Sequence, residues 1–372
     1  MIKKIFLVIY ADEVGGSELR FFGLWKEAIR QKDKKLIFNI VISKQLLEVL
    51  LLRENEENKK IIKSHKNVIL YDFEIGYLKL KEFVNNKVTD TDVLHFIDIL
   101  PLKSSNANQV FSITQSSLKN LNFRGRIAQV LGAFYSDKVD ILDPSIYKKF
   151  KKLFFYKKNS LTLTTNSYCD VDKFESKPFQ QKKDWFVFLG RFEVGKQVDK
   201  LIEILPEIYL ELKDSFKNDL KFIFIGYGYL KESIENKIKE PEYKNIPIEI
   251  MYNSTPQKIL KESKFFFSLQ LYNNYPSRSL MEAMSAGNIP ICTDVGETKW
   301  LAKPDFSFYV PEYFSENDFV AAFKKIRNTP IEKLSEKSQL ARQTVLNEHT
   351  IEKMFKYYYD VYNTLLIDKK QE

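Results

Sequence analysis

Asn274-Tyr275-Pro276-Ser277-Arg278-Ser279-Leu280-Met281-Glu282-Ala283-Met284-Ser285-Ala286-Gly287-Asn288-Ile289-Pro290-Ile291 reads as a loop, a short helix, a stop and a buried strand. Pro276 and Ser277 suit a helix start, where a missing N–H is harmless and a hydroxyl can cap. Gly287 suits the stop, because helices commonly end on a residue in the left-handed region. The apolar run from Ile289 then suits a strand with both faces covered. This order is the αβ half of a nucleotide-binding unit, with one carboxylate, Glu282, carried inside the helix. The helix start after Asn274–Ser277 is itself an anion site, since its first N–H groups lack helical acceptors and its dipole is positive there. Two readings of Glu282 stand side by side. Its carboxylate accepts two ribose hydroxyls, as acidic residues do in other nucleotide folds, or Ser279 and Glu282 form a capping box.

Outward from this stretch, apolar β-rich runs alternate with helical patterns along the chain. Expected strands are Lys4–Tyr10, Leu36–Ser43, Asn67–Tyr71, Asp92–Asp98, Gln109–Thr114, Arg126–Leu131, Val139–Leu142 and Ser160–Thr165. A second set is Trp185–Leu189, Leu220–Ile225, Pro247–Met251, Phe265–Leu269, Ile289–Thr293 and Phe308–Val310. Runs such as Ile5-Phe6-Leu7-Val8-Ile9 are apolar on both faces, which suits parallel sheets covered by helices. Strand–helix alternation over this length predicts doubly wound α/β domains. The chain has 372 residues, 44% of them apolar, and domains hold roughly 100–200 residues, so two are expected. The polar stretch Lys173–Asp184 reads as the linker. Thr350–Leu366 reads as a last helix, with Met354, Tyr358, Tyr362 and Leu365 at 3–4 spacing.

Composition narrows the function. Two cysteines, Cys169 and Cys292, make no disulfide framework and fit a reducing compartment. No apolar run reaches the about 18 residues that a spanning helix needs. The start, Met1-Ile2-Lys3-Lys4 and then Ile5 to Ala11, is closed by Asp12-Glu13 and reads as a first strand, not a leader. The net charge is +9, and residues 1–176 hold 29 of the 58 Lys and Arg but only 21 of the 49 Asp and Glu. That half suits an anionic partner. No zinc spacing, basic zipper or RNA-binding aromatic motif accompanies it, so nucleic acid is not the expected partner.

Several motifs fall at strand ends, where doubly wound sheets bind ligands. Gly190-Arg191-Phe192-Glu193-Val194-Gly195-Lys196 follows an expected strand, and its Arg and Lys could neutralise a diphosphate. With 58 basic residues, the pair also fits chance. Gly15-Gly16-Ser17-Glu18 could let backbone approach a ligand or make an ordinary tight turn; it lacks the third glycine of the dinucleotide fingerprint. His95 could meet a substrate or pack as a strand histidine. Asp90-Thr91-Asp92 and Asp170-Val171-Asp172 read more simply as turns than as metal ligands. Tyr147 to Lys158 interleaves six lysines with five aromatics. On a helix this suits an anionic membrane surface or a buried aromatic stripe with a solvated basic face.

In order along nearly the whole chain, these pieces resemble the family-4 glycosyltransferases of the two-domain type known as GT-B. Gly15-Gly16-Ser17-Glu18 resembles that family's first glycine loop, and Asp92-Val93-Leu94-His95 the strand that carries a histidine. Asn166 through Phe174 is similar to the segment before its linker, with Ser167 for the usual Gly. Gly190-Arg191…Lys196 resembles its diphosphate-binding pair, Ile225-Gly226-Tyr227-Gly228 its glycine turn, and Pro276 to Thr293 its donor signature. One departure stands out: eight positions before Glu282, where the family usually has a Glu near the transferred sugar, this chain has Asn274.

The resemblance implies two Rossmann-like domains facing a cleft: residues 1–176 for the acceptor, 177–349 for the donor, and a helix over 350–372 crossing back to the first domain. It implies retaining transfer of a sugar from a nucleoside-diphosphate sugar to a glycan or lipid-linked acceptor. His95, Arg191 and Lys196 would be catalytic. Gly16, Gly190, Gly226, Asn274, Ser277, Arg278, Ser279, Leu280 and Glu282 would hold the donor, and Gly15 and Gly16 would face the acceptor. No metal or cofactor beyond the donor is expected. The implied location is cytoplasmic, at a membrane surface if the basic half meets anionic lipid. Asn274 also admits a second reading, a weakly active or inactive glycan-binding scaffold on the same fold.

Overall fold

The computed structural model describes residues 3–11, 13–31, 35–52, 54–72, 76–89, 92–99, 107–114, 123–154, 160–164, 167–252 and 255–368. The chain forms two compact units, Met1–Ser167 with Ile351–Glu372, and Tyr168–Thr350.

The first unit is built on a seven-stranded sheet in the order β3-β2-β1-β4-β5-β6-β7. Its strands are β1 Lys3–Val8, β2 Leu36–Ser43, β3 Val68–Tyr71, β4 Val93–Ile97, β5 Asn108–Ile113, β6 Lys138–Ile141 and β7 Leu161–Leu163. Every pairing is parallel. Chain order reverses between β1 and β4, so right-handed crossovers put the β1–β2–β3 helices on one face and the later ones on the other. The helix Ile351–Asp368 belongs to this unit, and Met354, Tyr358, Tyr362 and Leu365 are its buried stripe.

A buried polar network fastens that helix to the sheet. Asp140 on β6 accepts from Ser112 Oγ at 2.9 Å, Tyr357 Oη at 2.7 Å and Tyr358 Oη at 2.5 Å. Arg20, from helix Gly16–Gln31, reaches the same carboxylate at 3.3 Å and also donates to Tyr358. The Arg20 Nε and Nη1 groups are buried without a hydrogen-bond partner.

One expected strand is wrong. Arg126–Leu131 lies inside the helix Phe123–Tyr135. A six-residue run is too short to separate the two periods, and the small residues Gly132 and Ala133, one turn further on, seat the helix on the sheet. A Cβ on Gly132 would come within 2.5 Å of the Phe111 ring.

The second unit holds a six-stranded parallel sheet in the order β10-β9-β8-β11-β12-β13. Its strands are β8 Lys183–Leu189, β9 Lys221–Ile225, β10 Ile248–Met251, β11 Ser263–Ser268, β12 Ile289–Asp294 and β13 Phe308–Pro311. Phenylalanines fill one face; the rings of Phe186 and Phe265 stack at 4.5 Å.

The expected linker Lys173–Asp184 is part of this unit. Phe174 and Phe179 are buried in its core, Phe179–Gln181 is a single 3₁₀ turn, and β8 starts at Lys183. Two of the charges that make the stretch look solvated, Lys182 and Asp184, are bonded inside. Lys182, fully buried, donates to the carbonyls of Lys261, Ser263 and Ala286 at 3.2, 3.0 and 2.7 Å. Asp184 meets Lys264 at 2.6 Å. The division between units therefore falls at Ser167 and Tyr168, because Cys169 and Phe174 pack with the second core.

Candidate active site

Order in the second sheet reverses between β8 and β11, and the carboxyl ends of β8, β9, β11 and β12 bring several side chains together. After β8 the chain turns through Gly190 and Arg191 into a 3₁₀ turn, Val194–Lys196. Gly190 N–H donates to the Ile225 carbonyl at 3.0 Å and Phe192 N–H to the Tyr227 carbonyl at 2.6 Å. This contact needs glycines at 226 and 228. A Cβ on Gly226 would lie 1.8 Å from the Gly190 carbonyl oxygen, and one on Gly228 2.3 Å from that of Phe192.

The Lys196 ammonium donates to Gln270 Oε1 at 2.8 Å. Gln270, just past β11, is fixed in turn by Thr293 at the end of β12: its N–H donates to Thr293 Oγ1 at 2.7 Å, and that hydroxyl donates to the Gln270 carbonyl at 2.8 Å. Burial pushes the Lys196 amine down to about 8, with Glu193 opposing and Arg191 adding to the shift. Arg191 is different. Its side chain is 65% exposed and meets Glu193 at 3.4 Å, so it is free to swing toward an anion.

Beside Gln270 lies a small recess lined by Ser268, Gln270, Asn274, Ser277, Leu280 and Thr298 among others. It opens on the start of helix Arg278–Ser285, whose N-cap is Ser277 with no side-chain cap bond. An uncapped first turn leaves N–H groups for an anion. Its neighbour loop is held by Asn273, whose Oδ1 accepts from Tyr275 N–H at 3.2 Å and Glu297 N–H at 3.3 Å.

Glu282 sits on the second turn of that helix, and Arg278 Nε donates to its Oε1 at 3.0 Å. The capping-box reading fails, since the cap residue is Ser277 and not Ser279. Arg278 also lies over the Tyr168 ring at 5.6 Å. Arg278 therefore lies along its own helix toward Glu282, whereas Ser277 and Leu280 line the recess.

In the first unit, Gly15 and Gly16 are exposed at the start of helix Gly16–Gln31, with Gly15 N–H donating to Glu18 Oε2 at 2.7 Å. His95 corrects the sequence reading. It is fully buried in mid-β4, its Nδ1 2.7 Å from Tyr362 Oη and its Nε2 2.8 Å from Ser112 Oγ. Burial, then the Arg20 charge, push it well below the usual imidazole range. It is a neutral part of the helix-fastening network, with both nitrogens occupied.

Asp92 is also structural, accepting from Lys4 N–H at 3.1 Å and Thr89 N–H at 2.9 Å; Asp90, Thr91 and Asn166 lie outside the described residues. Asp170 pairs with Lys173 at 3.0 Å. Among the described residues no three His, Cys, Asp or Glu side chains gather as a metal site. Sequence reading missed Gln270 and Thr293, because neither belongs to a charged or glycine-rich motif.

Residues 171–344 match the family model described as Glycosyl transferases group 1. A curated relative from Campylobacter jejuni subsp. jejuni serotype O:2, N-acetylgalactosamine-N,N'-diacetylbacillosaminyl-diphospho-undecaprenol 4-alpha-N-acetylgalactosaminyltransferase, is 22% identical over 70% of this chain and 74% of its own length. Among solved structures, sucrose-phosphate synthase from Thermosynechococcus elongatus superposes with a TM-score of 0.74 at 13% identity, covering 98% of this chain and 100% of its own. Anabaena Alr3699/HepE in complex with UDP gives 0.71 at 12% identity, covering 98% and 100%. These superpositions identify the fold as GT-B. Among the described residues no helix is long and apolar enough to cross a membrane.

Proposed function

We propose that this enzyme, a glycosyltransferase whose residues 171–344 form a group 1 domain, is a retaining family-4 member that moves a sugar from a nucleoside diphosphate to a hydroxyl of a glycan or lipid-linked acceptor. The observation that carries this reading is Lys196, a half-buried amine held at 2.8 Å from Gln270 beside an uncapped helix start. The UDP in the Anabaena structure and the diphospho-undecaprenol in the Campylobacter relative's name support a UDP-type donor and a lipid-linked acceptor.

In the proposed reaction the bond from the sugar's anomeric carbon to the diphosphate oxygen breaks. The acceptor oxygen bonds that carbon on the same face, and its proton passes to the departing phosphate oxygen. Charge builds on the diphosphate as it leaves. Lys196 and the N–H groups at Ser277–Leu280 stabilise it with little reorganisation, and the exposed Arg191 swings in from Glu193 to join them. Gly190 and Gly226 keep the loop close enough for backbone contact. Glu282 holds the ribose, with Arg278 steadying its carboxylate. Asn274, in the recess, offers an uncharged hydrogen-bonding group to the sugar. Gly15 and Gly16 leave room for the acceptor. His95 takes no part in the chemistry. Neutralisation by the two cations takes the place of a metal.

Turnover with UDP-, GDP- and ADP-sugars and a polyprenyl-diphosphate glycan tests this. One donor is expected to release its nucleoside diphosphate only with acceptor present, giving a product of the donor's anomeric configuration. An inverted product would remove retention, and no release from any donor would remove the transferase reading.

A further inference from the structure

The helix Phe123–Tyr135 is built inside out. Its buried residues are Gln129, Gly132 and Ala133, while Phe123 is 77% exposed and Ile127, Leu131, Phe134 and Tyr135 between 37% and 48%. At 100° per residue these five fall on a stripe about 120° wide, opposite the small residues on the sheet. A scattered exposed leucine is ordinary, but a continuous ridge of large apolar side chains marks an interaction surface.

The ridge is flanked by positive charge. Its neighbour is helix Pro144–Leu153, since the β5–β6 and β6–β7 connections cross on the same face of the sheet. That helix buries Ile146 and Phe150 and exposes Lys148, Lys149, Lys151 and Lys152, with Leu153 exposed beside them. Arg124 is exposed within the apolar stripe. Neither helix carries an acidic residue. Of the three aspartates between them, Asp137 is exposed, its Oδ2 accepting from Gln109 N–H at 2.7 Å, and Asp140 and Asp143 are buried and bonded inward, Asp143 capping the second helix.

We propose that this face docks on an anionic lipid surface, the apolar ridge entering the headgroup layer and the lysines meeting lipid phosphates. A second copy of the chain is a poorer fit. A two-fold interface sets each patch against itself, and lysines would then face lysines. The inference adds a location to the lipid-linked acceptor proposed above, yet it stands on first-unit residues apart from the donor site.

The test is sedimentation of the full chain with vesicles of phosphatidylcholine alone or with 30% phosphatidylglycerol (~0.3 mole fraction, to set a negative surface potential). Two variants are compared, Phe123→Gln with Ile127→Gln and Leu131→Gln, and Lys148, Lys149, Lys151 and Lys152 all →Gln. Wild type is expected to pellet with the anionic vesicles only, and each variant to lose about tenfold in partitioning. Absence of wild-type binding, or variants that pellet like wild type, would overturn the proposal. So would a dimer in sedimentation velocity that the apolar-ridge variant dissociates, which would give the ridge to a second copy. Nucleotide-induced stabilisation, unchanged in both variants, verifies their folding and separates this outcome from failure of the donor reading.

Discussion

Lys196→Ala is expected to lower turnover by about 10²–10³-fold, the range for losing one preorganised group at a developing anion, while the protein stays folded. The amine is partly desolvated and hydrogen-bonded to Gln270, so a charge there acts through less water than one on the surface. Arg191→Ala is expected to fall in the same direction. Its side chain rests exposed against Glu193, so the loss appears only once a diphosphate has drawn it in. The pH profile gives an independent readout. Burial lowers the Lys196 amine to about 8, and the protonated form is the competent one. The kcat/KM of the wild type should therefore fall as pH rises through about 8, and in Lys196→Ala this limb should vanish. The same sign governs stability: the folded state holds the Lys196 proton less tightly than the unfolded chain, so losing the amine removes a folding penalty at neutral pH. A variant that kept near-normal kcat/KM with an unchanged profile would remove Lys196 from the chemistry.

Asp140→Ala is expected to cost about 3–5 kcal/mol of stability in the first unit, the usual consequence of leaving a buried charge without its partner. One carboxylate satisfies Ser112, Tyr357, Tyr358 and Arg20. Arg20 is 3% exposed with two nitrogens already unpartnered, so no other group can take over its charge. Tyr357 and Tyr358 belong to the last helix, so its docking should loosen as well. Urea unfolding and limited proteolysis near Ile351 measure both effects. A cost below about 1 kcal/mol, the scale of a solvated surface pair, would mean that water or a rearranged Arg20 replaces the carboxylate.

These two residues divide what the sequence disclosed from what it hid. The strand-end position of Lys196, though not its proposed role, is legible because it follows a strand that is apolar on both faces and stands six residues after a glycine. The strand ends of a doubly wound sheet then place it by topology alone. The alternation of β and α runs gave both sheets, and the 3–4 spacing of Met354, Tyr358, Tyr362 and Leu365 gave the last helix. Asp140 was not legible, because nothing local marks a carboxylate whose partners Arg20, Tyr357 and Tyr358 come from the first and last helices of the unit. His95 was misplaced for a similar reason: its ring nitrogens are claimed by Tyr362 of the last helix and Ser112 of the neighbouring strand. Lys173–Asp184 misled because its polarity looks like solvation until Lys182 and Asp184 are seen paired inside the core. The helix Phe123–Tyr135 misled through its reversed polarity, large residues out and small residues in, which leaves no helical core stripe to read.

The second unit is expected to bind a nucleoside diphosphate at the ends of β8 and β11 with Glu282 on the ribose. Melting temperatures with UDP, GDP, ADP and CMP, for wild type and Glu282→Ala, test it most directly. A nucleotide at 100 times its dissociation constant stabilises the bound fold by about 2.7 kcal/mol. One nucleoside diphosphate should raise the wild-type melting temperature and leave that of the folded Glu282→Ala variant nearly unmoved. No shift with any nucleotide, or equal shifts in both proteins, would contradict the account.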